Sequence, residues 1–149
     1  MALKHYVAGF LFNHAATEVV LIRKINPAWQ RGHYNAVGGK IEPGESAIDA
    51  MVREFEEETG VLIPASSWTH YAHIHRPTDY HLQLFFAHSD QAYDCRTVEQ
   101  EIVARFAVSA LPDNLISNLR WLIPLALDQH IQFNQPIEFT EPAHERSQV

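Results

Sequence analysis

Three glutamates at helical spacing, inside a segment bounded by glycines, constrain this chain more than any other feature. Residues 39–61 read GKIEPGESAIDAMVREFEEETGV. Within them Gly39, Glu45, Arg53, Glu54, Phe55, Glu57, Glu58, Gly60 and Val61 stand in the order Gly-x5-Glu-x7-Arg-Glu-Phe-x-Glu-Glu-x-Gly-Val. On a helix, residues three and four apart share a face, so Glu54, Glu57 and Glu58 point the same way. Like charges at that spacing repel and destabilise the helix unless something neutralises them. Hard divalent cations take oxygen ligands and would do so, Mg²⁺ first and Mn²⁺ as its alternative. Arg53 has acids four residues away on both sides, Asp49 and Glu57, and Glu45 reaches it if the preceding loop folds back. Glu56 points off the stripe and reads as a solvated charge.

The charge distribution agrees. The formal net charge is −7, and the stretch from Glu42 to Glu58 alone holds seven acids against one base. A long polyanion would be repelled from such a surface, and the chain has no basic stripe, so a nucleic-acid polymer is not the expected partner. A small phosphorylated molecule would need bridging cations to approach. Cys95 is the single cysteine, which rules out an intramolecular disulfide and fits a reducing, cytoplasmic setting. The longest apolar run, Trp121–Leu127, is short and interrupted by Pro124, and the N-terminus alternates rather than forming a signal-peptide core, so no membrane role is expected.

A length of 149 residues suits one domain, 1–149. Tyr6–Phe12 and Val19–Ile25 read as strands, followed by a loop over Asn26–Gly32 and a lead from Tyr34–Val37 into Gly38-Gly39. A helix starts near Ser46, with Asp49 completing a capping box, Ile48, Val52 and Phe55 as its apolar stripe and Gly60 as its C-cap. Strands at Thr69–His75 and His81–His88 flank a turn at Arg76–Asp79, and another strand covers Ile102–Val108. A last helix is expected over Asn114–Gln129, bent or interrupted at Pro124. The tail from Phe139 is polar and reads as frayed. This order predicts a mixed α/β (α+β) domain with helices packed on a sheet.

The full 39–61 pattern resembles the signature of the Nudix hydrolases, with Phe55 at a position more often aliphatic. The resemblance implies an α/β/α sandwich around a mixed sheet, and hydrolysis of a nucleoside diphosphate linked to another group. It also implies roles. Glu57 and Glu58 would be metal ligands, Glu54 a ligand or the general base, and the Gly38 carbonyl would face the metal. Gly39, Glu45, Arg53 and Gly60 would support the motif. Related enzymes add an acid from a later loop, for which Glu101 is the first choice and Glu99 the second. In such chemistry divalent ions act as Lewis acids and a carboxylate takes a proton from water.

Substrate contacts are sought among Arg23 or Lys24 (which alternate faces, so that one points inward) and Lys40. Tyr34-Asn35 stands where the oxidised-purine triphosphatases of this superfamily place an aromatic-Asn pair. Asn118, in a segment similar to their base-reading helix, stands where those enzymes have an acid; its amide can both donate and accept. The expected substrate is therefore a purine nucleoside triphosphate, oxidised or otherwise non-standard, cut to monophosphate and pyrophosphate. Nucleoside-diphosphate sugars and dinucleoside polyphosphates are the alternative, and a non-catalytic nucleotide-binding module is a second one. Monomer and homodimer stay open. Trp121 reads as core. His73 and His75 share a strand face and His81 follows the turn, but without a compact zinc pattern these read as strand-surface histidines.

Overall fold

The computed structural model describes residues 3–142. Its centre is β1 (Lys4–Phe12), whose side chains alternate between two cores. Val7 and Leu11 join one cluster and Ala8, Phe10 and Phe12 the other. Against the first face lies α1 (Ala47–Thr59), and against the second α2 (Leu119–Leu127). The result is the expected α/β/α sandwich.

The sheet is mixed and forked. On one side β1 pairs in parallel with β6 (Tyr80–His88), which pairs with β5 (Thr69–Arg76) as a hairpin. On the other side β1 divides its edge. Tyr6–Gly9 pair antiparallel with β4 (Val37–Lys40), while Leu11 and Phe12 pair with β2 (Glu18–Arg23). β2 also carries β3 (Tyr34–Asn35) and β7 (Ile102–Ala107). Strand β4 contains Gly38-Gly39, a pair for which the sequence predicts no strand. It forms because Gly38 lies so close to β1 that a Cβ there would collide with the backbone of Val7 and Ala8. Only glycine permits that approach.

The cap residues of α1 are those expected, but the capping box is only half made: the Ser46 hydroxyl accepts from the Asp49 amide without a return bond to the Asp49 carboxylate, and Gly60 closes the helix at φ 78°. Its buried row differs. Ala50, Met51, Phe55 and Thr59 are fully enclosed, whereas Ile48 and Val52 are half-buried at the margin. The second helix starts five residues later than expected. Tyr34 takes the backbone of the intervening stretch, donating to Asn114 O and accepting from Ile116 N, so that stretch cannot join the helix. The helix then runs through Pro124 to Leu127.

Two further expectations are corrected. Phe139 and Thr140 are not frayed: they belong to β8 (Ile137–Thr140), which pairs in parallel with β5. The rest of the tail, from 143, lies outside the described residues. Trp121 is 40% exposed and packs against Phe139 on the outer side of α2, not in the core. Among the described residues no helix is long and apolar enough to cross a membrane.

Candidate active site

Burial of the motif acids follows from helix geometry. At about 100° per residue, Glu54 and Glu58 sit beside the row of Met51 and Phe55, while Glu57 turns away from it. The Glu54 side chain is 15% exposed and that of Glu57 50%. Glu58 Oε2 is buried without a hydrogen-bond partner. Burial pushes the Glu58 carboxyl from its ordinary value of 4.5 up to about 8, with Lys24 opposing the shift and Glu54, Glu101 and Glu99 adding to it. Burial also raises Glu54, against the pull of Arg53. A buried carboxyl oxygen with no hydrogen-bond partner, beside further acids, suits a hard divalent cation once the group is ionised.

Arg53 organises the other side of this face. Its Nε and Nη2 donate to the two oxygens of Glu45 at 2.7 and 2.9 Å. Nη1 donates to Glu54 Oε2 at 3.0 Å and Glu57 Oε1 at 3.2 Å, and Nη2 also reaches the Lys40 carbonyl at 3.1 Å. The loop thus folds back as anticipated, and Glu45 takes the place expected for Asp49, whose amide serves the N-cap. The hydrogen bond from Arg53 holds Glu45 below the usual carboxylate range, and Glu45 in turn raises Arg53, which stays charged. Such a fork fixes the χ angles of Glu54 and leaves its Oε1 free of Arg53.

The Glu58 shift has a consequence for stability. An acid whose folded pKa is raised favours the protonated folded state. The stability it contributes is complete below the unfolded value near 4.5 and is lost as pH rises through about 8. The metal-free protein is therefore expected to lose melting temperature over that window. Saturating Mg²⁺ should flatten the trend, with a larger Mg²⁺-induced shift at the alkaline end. Calorimetry with and without chelator checks this; a Mg²⁺ shift that shrinks as pH rises would contradict it.

The loop acids enter from beyond β2. Glu101 receives the Lys24 ammonium at 3.1 Å and the Ile25 amide at 2.6 Å. Both its oxygens are thus engaged, and Glu99 is exposed nearby. Of the two strand-end bases, Lys24 turns toward this region and Arg23 is exposed on the opposite side, as alternation requires. Lys40 also points outward and contributes its carbonyl rather than its ammonium.

Beside the carboxylates, past Gly38 and Gly39, lies a cleft of about 460 Å³ on the α2 side of the sheet. Leu82, Leu84, Ile116, Leu119 and Leu122 line it, and Trp29 stands at its side. Asn35 and Asn118 both line it. The Asn35 amide donates to Gln30 Oε1 and its carbonyl accepts from Ala36 N. Asn118 occupies the N-cap position of α2 but makes no side-chain cap bond there. Tyr34 does not line the cleft: it packs edge-on against Phe106, 4.8 Å between centroids, and belongs to the core. Trp29, Gln30 and the turn residues Arg76, Asp79 and Tyr80 line the cleft without any local pattern announcing it.

The NUDIX domain family matches residues 3–138. The chain belongs to the Nudix family. It is 31% identical over 83 residues, 49% of its length, to the 8-oxo-dGDP phosphatase NUDT18 of Mus musculus, of which the match covers 25%. The chain spans about a quarter of the length of the curated relatives it matches. In fold it is similar to the mutator MutT protein of Bacillus halodurans, with a TM-score of 0.71 and 20% identity over 95% of this chain and 92% of that one. It is also similar to the NUDIX domain of Shewanella oneidensis NrtR, crystallised with ADP ribose, with a TM-score of 0.70 and 21% identity over 88% and 90% of the two chains.

Proposed function

We propose that this Nudix protein hydrolyses the phosphoanhydride of a purine nucleoside triphosphate, oxidised or otherwise non-standard, releasing the monophosphate and pyrophosphate. The observation that carries this reading is the junction of two environments at Gly38-Gly39. A half-buried carboxylate face lies on one side, and an apolar cleft of nucleoside size with two amides on the other. Glu57 and Glu58 would hold divalent cations, Mg²⁺ or Mn²⁺, with the Gly38 carbonyl beside them, while Glu101 stays bound to Lys24 and the Ile25 amide. Bound there, such cations supply Lewis acidity that draws charge from the phosphate oxygens.

The chain's own groups do the rest. Lys24, held by Glu101, presents a cation to the phosphates. Glu54 Oε1, the oxygen free of Arg53, accepts the proton of the attacking water as the bond to the leaving pyrophosphate breaks. Its raised pKa makes it a stronger base than an exposed glutamate. The purine enters between the leucines of the cleft, and the amides of Asn35 and Asn118 meet its edge.

A panel of nucleotides with Mg²⁺ tests the reading. Purine triphosphates, 8-oxo-dGTP among them, should be hydrolysed fastest, with pyrophosphate released. Faster turnover of ADP-ribose or a nucleotide sugar would overturn it in favour of the second reading, a nucleoside-diphosphate sugar hydrolase. That alternative is favoured by Lys4, Arg76 and Asp79, which give the cleft a second polar end. Asn118→Ala should lower kcat/KM for a purine triphosphate about 5–10-fold, the worth of roughly one hydrogen bond, and leave a pyrimidine triphosphate little changed. Equal losses on both would remove Asn118 from base recognition.

A further inference from the structure

We propose that His73, His75 and His81 form a second metal site, for a late first-row divalent cation such as Zn²⁺, separate from the carboxylate face. The three stand on one face of the β5–β6 hairpin, where His75 pairs directly with His81 and His73 lies two residues from His75. Each offers a ligand atom, and these atoms all lie within 4.8 Å of one another. The ring centroids are 4.2 Å apart for His73 and His75, 4.3 Å for His75 and His81, and 5.3 Å for His73 and His81. Far from being dispersed on the strand surface, all three are partly buried and in mutual contact.

The orientation of the rings argues for a cation. His75 Nε2 lies 3.0 Å from Glu138 Oε1 on β8, and its Nδ1 lies 2.9 Å from His81 Nε2. Glu138 holds the His75 proton on Nε2, which leaves the Nδ1 lone pair aimed at His81. This is the carboxylate–imidazole arrangement that orients metal-binding histidines from outside the ligand shell. Two nitrogens on a tetrahedral zinc with bonds of 2.0–2.1 Å stand about 3.3 Å apart, close to the spacing already present. His73 Nε2 is buried without a hydrogen-bond partner, a cost that a ligand bond removes. Imidazoles select late transition ions, whereas Mg²⁺ prefers the oxygens of the motif. None of the three histidines lines the nucleotide cleft, although the turn of the same hairpin does. A bound ion would tie β5 to β6 and, through Glu138, both to the short edge strand β8.

Calorimetric titration of the untagged protein with ZnCl₂, under excess Mg²⁺ to occupy the carboxylates, tests the site. One Zn²⁺ per chain is expected. His75→Asn and His81→Asn should each weaken it at least about 100-fold, and Glu138→Gln about 10-fold, as for an outer-shell partner. Mg²⁺-dependent hydrolysis measured without zinc should stay within about twofold of the wild type in all three, since none touches the reacting groups. Zinc affinity unchanged in both histidine variants, or lost in Glu57→Gln while those variants retain it, would overturn the proposal. Should the histidine variants fail to fold, exposed Glu138 decides: an unchanged affinity in Glu138→Gln overturns the site.

Discussion

Glu58→Gln is expected to lower hydrolysis by more than the roughly 10–100-fold that loss of an outer-shell partner costs a metal site, while making the metal-free protein more stable. The two effects share one cause. Glu58 is buried beside Met51 and Phe55 with an oxygen that finds no donor, and its pKa stands at about 8. Above that pH the folded chain carries a buried charge it cannot pair, and an amide removes it. In calorimetry under chelator, the melting temperature of the variant should exceed that of the wild type at alkaline pH by a few degrees, ~1 kcal/mol being worth about 2–4 °C in a domain of this size. Below about pH 4.5, where Glu58 is protonated in the unfolded chain as well as the folded one, the two proteins should melt together. Mg²⁺ should reverse the order at alkaline pH, because it stabilises only the wild type strongly. A variant that is less stable under every condition would show that Glu58 is a structural acid, and the metal assignment would go with it.

This opposition of stability and activity explains the form of the motif. Arg53 satisfies Glu45, half of Glu54 and part of Glu57, but no donor reaches Glu58 Oε2. The face is compensated up to the point where cations must enter. Glu56, two residues before Glu58 and on the exposed side, carries the same charge at no such cost.

How much of this was legible in the sequence depended on whether the determining interaction was local. The strands β1, β2, β5 and β6 show their alternation, and α1 shows its caps. The motif acids were legible because their helical spacing is itself the signal. Strand β4 was not, since two glycines have no strand propensity and pair only because β1 admits them. The first residues expected in α2 are claimed by Tyr34, some eighty positions away. Lys24 and Arg23 were separable only in part: alternation predicts that one turns inward, but the partner that decides, Glu101, comes from a distant loop. Tyr34 carries a family likeness yet serves the core, whereas Trp29 lines the cleft unannounced. The histidines converge through the register of a hairpin and a parallel edge strand, which residue spacing along the chain does not encode.

The paired glycines separate fold from chemistry, and substitution should show it. Gly38→Ala places a methyl group against the backbone of Val7 and Ala8, which cannot yield without moving β1. It should destabilise by at least the 1–3 kcal/mol typical of overpacking, and lower soluble yield. Gly39→Ala meets the carboxyl group of Glu54 instead, the far end of a flexible side chain. The chain should fold with nearly unchanged melting temperature, because Glu54 can swing away. In doing so it leaves Arg53 and moves the proton-accepting oxygen, and a displacement of about 1 Å at a reacting group is worth roughly 10²-fold in rate. The loss should fall on kcat more than on KM, since the nucleoside cleft is untouched. If Gly39→Ala retained full activity, Glu54 would not be the base. If it unfolded as readily as Gly38→Ala, the glycine would be there for the strand and not for the acid beside it.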